Sequence, residues 1–219
     1  RVNLVDLPGH GVNANVPLSH DLNKVAEQIL TEVPPAIWIG WSLGGLITLA
    51  AALQQPSHVL KAVLVAATPS FSKQADWEFG VSLAQQQAFS EGLESDFEQT
   101  LKQFSLQCFG APWLKESLKR LGKASATDDV PVRDTLHAGL HLLYDHNLLT
   151  DAVDCKVPTL FLGGTRDRTI LPASFEQAAA MMPNASAMLI RGAGHAPFIS
   201  HQDQFLDIIR AFIKGEKSA

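Results

Sequence analysis

Apolar positions along this chain follow two periods. Five short apolar segments, Val2–Leu7, Ala36–Gly40, Leu60–Ala66, Thr159–Gly163 and Ala185–Ile190, predict strands. Ala36 to Ile39 shows no alternation, the mark of a parallel strand buried on both faces. Helical spacing separates several of the segments. Leu22, Val25, Ala26, Ile29 and Leu30 fall at i, i+3, i+4, i+7 and i+8 behind a cap at Ser19 or Asp21. Phe205, Ile208, Ile209, Phe212 and Ile213 repeat that spacing near the C-terminus. From Leu43 to Leu53 nearly every residue is apolar or small, which predicts a helix buried almost all round.

The strand signal stops between Pro69 and Asp151. That stretch reads as consecutive amphipathic helices, with Phe89, Leu93, Phe97, Leu101 and Phe104 three or four apart and Leu114, Leu118 and Leu121 continuing. Strands alternating with helices predict the α/β class, with a mostly parallel sheet flanked by helices. The chain then divides into residues 1–70 and 152–219, which form the core, and a helical insertion over 71–151. An insertion between two such strands lies over the C-terminal edge of the sheet, where open α/β sheets bind ligands. It reads as a lid whose aromatics form mainly its own small core.

Composition narrows the picture. The 219 residues are 46% hydrophobic and 18% charged, enough for one globular core with an insertion. A net charge of −5 argues against general nucleic-acid binding, and no apolar run reaches the length of a membrane span. Cys108 and Cys155 are two distant cysteines, which predicts free thiols in a reducing cytoplasm, not a disulfide framework. The chain opens Arg1-Val2-Asn3-Leu4-Val5-Asp6, inside what reads as a core strand, with neither an initiator Met nor a signal-peptide pattern. It therefore reads as lacking an N-terminal portion.

The candidate chemistry starts at Gly40-Trp41-Ser42-Leu43-Gly44-Gly45, placed between a strand and a buried helix. That is the context a nucleophile elbow requires, with a serine exposed on a strained strand-to-helix turn. Gly40 and Gly44 are expected to let strand and helix approach closely. A serine hydroxyl needs a neighbouring base, and the base needs an orienting acid. Asp167 follows the strand Thr159–Gly163, and His195 follows Ala185–Ile190 on the Gly-rich loop Gly192-Ala193-Gly194. All three emerge at one sheet edge, in the order Ser, acid, His.

Rivals are weaker. Asp151 and Asp154 precede their strand, and Ala67-Thr68-Pro69-Ser70 offers no carboxylate. His10 lies in the tight turn Pro8-Gly9-His10-Gly11, where a structural role is expected. His137 and His141 are one helical turn apart but lack a partnering Glu, and His201 reads as a surface or capping residue. A triad of Ser42, Asp167 and His195 without metal or cofactor is the expected machinery.

The elbow, the Asp167 loop and Gly194-His195-Ala196-Pro197-Phe198-Ile199-Ser200-His201 resemble those of α/β-hydrolases. More narrowly they resemble the pimeloyl-[acyl-carrier protein] methyl ester esterases of biotin synthesis. The likeness extends through Val2–Asp6 with Leu7-Pro8-Gly9, and more loosely through Asp96-Phe97-Glu98-Gln99-Thr100 to Phe104. It implies an α/β-hydrolase fold with a helical lid, and a cytoplasmic serine carboxylesterase that removes the methyl ester from a pimeloyl chain on acyl-carrier protein; a monomer is expected. It also implies the backbone N–H of Leu43 as an oxyanion donor, Trp41 against the pocket, and Phe104, Ser105, Leu106, Gln107 and Cys108 as the acyl-binding stretch. For Trp41, packing beneath the lid is an equal alternative.

The chain departs from that pattern in two places. The His-Gly-x-Gly oxyanion loop, expected ahead of the first strand, is absent from these residues, and lid arginines are replaced around Gln99 and Gln103. Lys115, Lys119 and Lys123, with Arg120 beside them, form a stripe that would steer an acidic carrier or serve only as a solvated face. Alternative readings are a generic carboxylesterase, thioesterase or C–C bond hydrolase on the same scaffold, and a non-catalytic ligand-binding member.

Overall fold

Thr159–Gly164 forms a strand in which every residue is buried, and the sheet is built around it. The computed structural model describes residues 2–110 and 132–216. In chain order its elements are α1 (Leu22–Glu32), β1 (Ala36–Trp41), α2 (Leu43–Gln54), β2 (Val59–Val65), α3 (Leu83–Ser95), α4 (Phe97–Phe109) and α5 (Val132–Tyr144). There follow α6 (Leu149–Ala152), β3 (Thr159–Gly164), α7 (Ala173–Met181), β4 (Ala185–Ile190), α8 (Pro197–Ser200) and α9 (Gln202–Lys214). Among the described residues the sheet is parallel, in the order β1-β2-β3-β4.

Side chains alternate across the sheet, so the inner strands β2 and β3 feed two cores. Ala62, Leu64 and Phe161 pack with Leu22, Val25, Leu46, Leu49 and Phe175 of α1, α2 and α7. Val63, Val65, Leu160 and Leu162 pack on the other face with Phe205, Ile208 and Ile209 of α9. Lys61 joins β2 to the end of α9, its Nζ donating to the carbonyls of Phe212 and Ile213 at 2.8 Å each. Asp21 is the cap of α1, accepting from the N–H groups of Asn23 and Lys24.

The predicted strands over Ala36–Gly40, Leu60–Ala66, Thr159–Gly163 and Ala185–Ile190 agree with β1 to β4 within a residue at each end. Two expectations fail. Val2–Leu7 is not a strand, and Val2 and Leu4 are 84% and 93% exposed. An apolar segment becomes a strand only with a neighbour to pair with, and none lies beside it among the described residues. For the same reason β1 is an edge strand of the described sheet. Ile39 remains 51% exposed where burial on both faces was expected.

The insertion between β2 and β3 carries α3, α4 and α5. The continuous apolar spacing from Phe89 to Phe104 crosses a break at Asp96, which ends α3 and caps α4 by accepting from the Gln99 N–H. Phe89 and Phe104 pack across that break with tilted rings, their centroids 5.4 Å apart. Of Phe89, Leu93, Phe97, Leu101 and Phe104, only Leu93 is fully buried. Leu114, Leu118, Leu121 and the stripe Lys115, Lys119, Arg120 and Lys123 lie outside the described residues. No helix among the described residues is long and apolar enough to cross a membrane.

Register brings the chemistry to one edge. Trp41 stands opposite Val65, Val65 opposite Leu162, and Gly164 opposite Ile190. The turns carrying Ser42, Asp167 and His195 therefore leave the same, C-terminal side of the sheet.

Candidate active site

Ser42 sits between β1 and α2 at φ 53°, ψ −117°. Non-glycine residues rarely adopt that conformation, and it persists only where the surroundings impose it. Here the Ser42 N–H donates to the Val65 carbonyl at 2.9 Å, and the Ser42 carbonyl accepts from Gly45 and Leu46 at 2.9 and 3.3 Å. The packing leaves no room for side chains at two glycines. A Cβ on Gly40 would lie 2.1 Å from the Gly44 carbonyl oxygen, and one on Gly45 would lie 2.4 Å from Ala67 Cβ. Gly44 itself faces open space. The close approach expected of Gly40 and Gly44 is thus made by Gly40 and Gly45, because the turn presents Gly44's carbonyl to the strand.

Although Ser42 holds the N-cap position of α2, its hydroxyl makes no capping bond. The Leu43 N–H is the first of the helix and has no intrahelical acceptor. It is therefore available, with the positive end of the helix dipole, to stabilise negative charge beside Ser42.

Asp167 is 5% exposed and fully committed. Its Oδ1 accepts from the N–H groups of Thr169 and Ile170 at 2.8 and 3.0 Å, while Oδ2 lies 2.9 Å from His195 Nδ1. With a carboxylate facing Nδ1, that nitrogen carries the proton and donates it, so Nε2 is the basic nitrogen. His195 is completely buried, and its Nε2 has no hydrogen-bond partner among the described residues. The acid and histidine loops are also tied through their backbones. Arg166 N–H donates to the Ala193 carbonyl at 2.8 Å, and Gly192 N–H to Thr165 Oγ1 at 2.9 Å.

Trp41 links the elbow to the histidine. Its indole Nε1 donates to the His195 carbonyl at 2.8 Å, and its ring packs edge-on against Phe198 with centroids 5.3 Å apart. The sequence assigned Trp41 only to a pocket wall or to packing, and nothing local signals a bond across 154 residues. Trp41→Phe keeps a ring in place but strips the donor from a buried carbonyl. A loss of about 1 kcal/mol in stability is expected. A three- to tenfold drop in kcat, about 1 kcal/mol of barrier, is expected with it. Thermal unfolding and steady-state kinetics measure the two.

The stretch Phe104–Cys108 divides by environment. Phe104 packs on Phe89, Leu106 is exposed, and Ser105 and Cys108 are buried. Gln107 reaches the acid loop, donating from Nε2 to the Arg168 carbonyl at 2.8 Å. Burial pushes the Cys108 thiol up to about 12, with the nearby Asp167 charge adding to it and Thr169 opposing it, so it remains a thiol at neutral pH. Cys155 is likewise buried and raised by burial, and both cysteines are free.

The other histidines have structural partners. His10 Nδ1 lies 3.0 Å from the Pro8 carbonyl within its turn. His137 pairs with Glu94 at 2.8 Å, and His141 with Asp145 at 2.7 Å. His201 occupies the position before α9 without a side-chain cap and bonds Ser200 Oγ. The described residues hold no group of three or more His, Cys, Asp or Glu side chains placed to bind a metal.

The chain is similar to known proteins both in sequence and in fold. A pimeloyl-[acyl-carrier protein] methyl ester esterase of Xylella fastidiosa strain M12 is 38% identical over 213 residues, covering 96% of this chain and 83% of that protein. One from Xanthomonas axonopodis pv. citri strain 306 is 36% identical over 214 residues, covering 97% and 84%. Among solved structures, an esterase from Exiguobacterium antarcticum superposes with a TM-score of 0.82 at 22% identity, over 95% of this chain and 80% of that one. A bromoperoxidase from Bacillus anthracis gives 0.81 at 22% identity, with the same coverage. At that identity the two structures establish the fold alone. Residues 1–208 match the alpha/beta hydrolase family, and the chain belongs to it.

Proposed function

We propose that this protein is a serine carboxylesterase that hydrolyses the methyl ester of a pimeloyl chain carried on acyl-carrier protein. The observation that carries the reading is the buried Asp167–His195 pair at 2.9 Å, on the sheet edge where the strained Ser42 turn emerges. Relatives 36–38% identical over nearly the whole chain bear that activity in their names.

In the proposed reaction Ser42 Oγ attacks the ester carbonyl as its proton passes to His195 Nε2. Asp167 holds the imidazole and offsets the charge it gains. The oxyanion of the tetrahedral intermediate accepts from the Leu43 N–H. Collapse breaks the carbon–methoxy bond, and His195 returns the proton to release methanol. Water, deprotonated by the same Nε2, then cleaves the acyl-enzyme to the free carboxylate and restores Ser42.

We assign the α3–α5 insertion as the lid over this site. The stripe Lys115, Lys119, Arg120 and Lys123 is its proposed contact with the acidic carrier. The setting is cytoplasmic, in keeping with two free thiols.

The test supplies the purified protein with methyl pimeloyl-carrier and follows methanol, carrier thiol and free acid separately. Methanol release with the thioester intact is expected, at a kcat/KM at least about tenfold above that for p-nitrophenyl acetate, or about 1.4 kcal/mol of added transition-state binding. Release of carrier thiol would assign a thioesterase. Hydrolysis of the small ester alone would assign a generic carboxylesterase.

A further inference from the structure

The loops bearing Ser42, Asp167 and His195 leave three different strands, and the last turn of α4 touches all three. Gln107 Nε2 donates to the Arg168 carbonyl at 2.8 Å. Cys108 Sγ lies 4.0 Å from Thr169 Oγ1, and a methyl group on Gly194 would meet the Cys108 carbonyl at 3.5 Å. The Phe109 ring stands 6.1 Å from that of Trp41.

The Gln107 contact falls on a particular peptide unit. The Arg168 carbonyl and the Thr169 N–H belong to one planar amide. Its carbonyl is held by Gln107, and its N–H is a donor to Asp167 Oδ1. Donation to the carbonyl fixes the plane and polarises the N–H, strengthening the bond at the other end. Asp167 Oδ2 is then the oxygen left for His195 Nδ1.

We propose that Gln107 is a positioning residue, holding the Arg168–Thr169 peptide so that Asp167 stays aimed at His195. This rests on the reading of Ser42, Asp167 and His195 as the triad. It gives Gln107, which the family resemblance places in the acyl-binding stretch, a role toward the catalytic loops. Because the Gln107 side chain is on the surface, the protein should tolerate its replacement without unfolding.

Three variants separate the roles. Gln107→Leu removes the donor, Gln107→Glu sets a carboxylate against the carbonyl, and Gln107→Lys restores a donor. Two readouts apply: hydrogen exchange at the Thr169 and Ile170 amides, and kcat and KM on p-nitrophenyl butyrate. In Gln107→Glu both amides should exchange about five to ten times faster, with core amides of β3 unchanged. Its kcat should fall about tenfold with KM within about twofold, and kcat should order Lys above Leu above Glu. Unchanged exchange at Thr169 overturns the proposal. A raised KM with intact kcat does so too, making Gln107 a substrate contact. If the wild-type protein hydrolyses no ester, the esterase reading fails, while the exchange result still decides whether Gln107 holds the acid loop.

Discussion

Ser42→Ala should abolish ester hydrolysis, lowering kcat by about 10⁴-fold or more while leaving the fold intact. Removing the nucleophile of a Ser-His-Asp unit disables the whole unit, and only transition-state contacts such as the Leu43 N–H would remain. Alanine still has a Cβ, so it inherits the strain at φ 53°, ψ −117°. Glycine does not. Strain at such a position costs about 1–3 kcal/mol. The added chain entropy of glycine costs about 0.5–1 kcal/mol. The first outweighs the second, so Ser42→Gly should be equally inactive yet more stable than Ser42→Ala by about 1 kcal/mol. Kinetics on a p-nitrophenyl ester and denaturant unfolding of both variants check the pair. A Ser42→Ala protein with normal turnover would sink the proposed mechanism.

Asp167→Asn should be the next largest effect, about 10⁴-fold in kcat, the scale seen when the acid of such a triad becomes an amide. The hydrogen bonds around Asp167 dictate how the amide must sit. Thr169 and Ile170 both donate to Oδ1, so an asparagine keeps its carbonyl oxygen there and turns its NH₂ toward His195. Facing a donor, His195 Nδ1 must become the acceptor and the ring proton moves to Nε2. That tautomer cannot take the proton of Ser42. The loss should appear in kcat, with KM and thermal stability little changed, since the local hydrogen bonds survive. Asp167→Ala should add a stability loss of about 1–3 kcal/mol by leaving a buried and a partly buried N–H group unpaired. A comparison of the two by kinetics and thermal unfolding separates the tautomer effect from simple loss of packing.

Much of this site is legible because its signals are local. Asp167 bonding the N–H two residues on is an Asx-type turn, which Asp167-Arg168-Thr169 can form from its own residues. β2 and β3 stand out as apolar runs because they lie inside the parallel sheet. The helices α1 and α9 show clean spacing because each buries one face only, against α2 and against the sheet.

Where the reading fails, the deciding partner is distant in sequence. Val2–Leu7 has a strand's composition, but a strand is a property of two segments, and this one has no neighbour to pair with among the described residues. The break between α3 and α4 is invisible to apolar spacing because Phe89 and Phe104 remain neighbours across it; only the capping of Gln99 by Asp96 marks it. The glycine assignment at the elbow differs by one residue because a motif does not say which atom of Gly44 faces the strand.

By itself, the sequence determined the α/β class, the order of core and insertion, and the residue types and loop positions of Ser42, Asp167 and His195. These follow from hydrophobic period and turn chemistry, which act over a few residues. Only the tertiary structure decided what holds those loops together: the Trp41 bond to the His195 carbonyl, and the Gln107 bond to the peptide that supports Asp167. A backbone carbonyl looks the same in every residue, so no side-chain pattern announces which one will be bound. That choice is made when segments 61 and 154 residues apart in sequence are packed to within 3 Å.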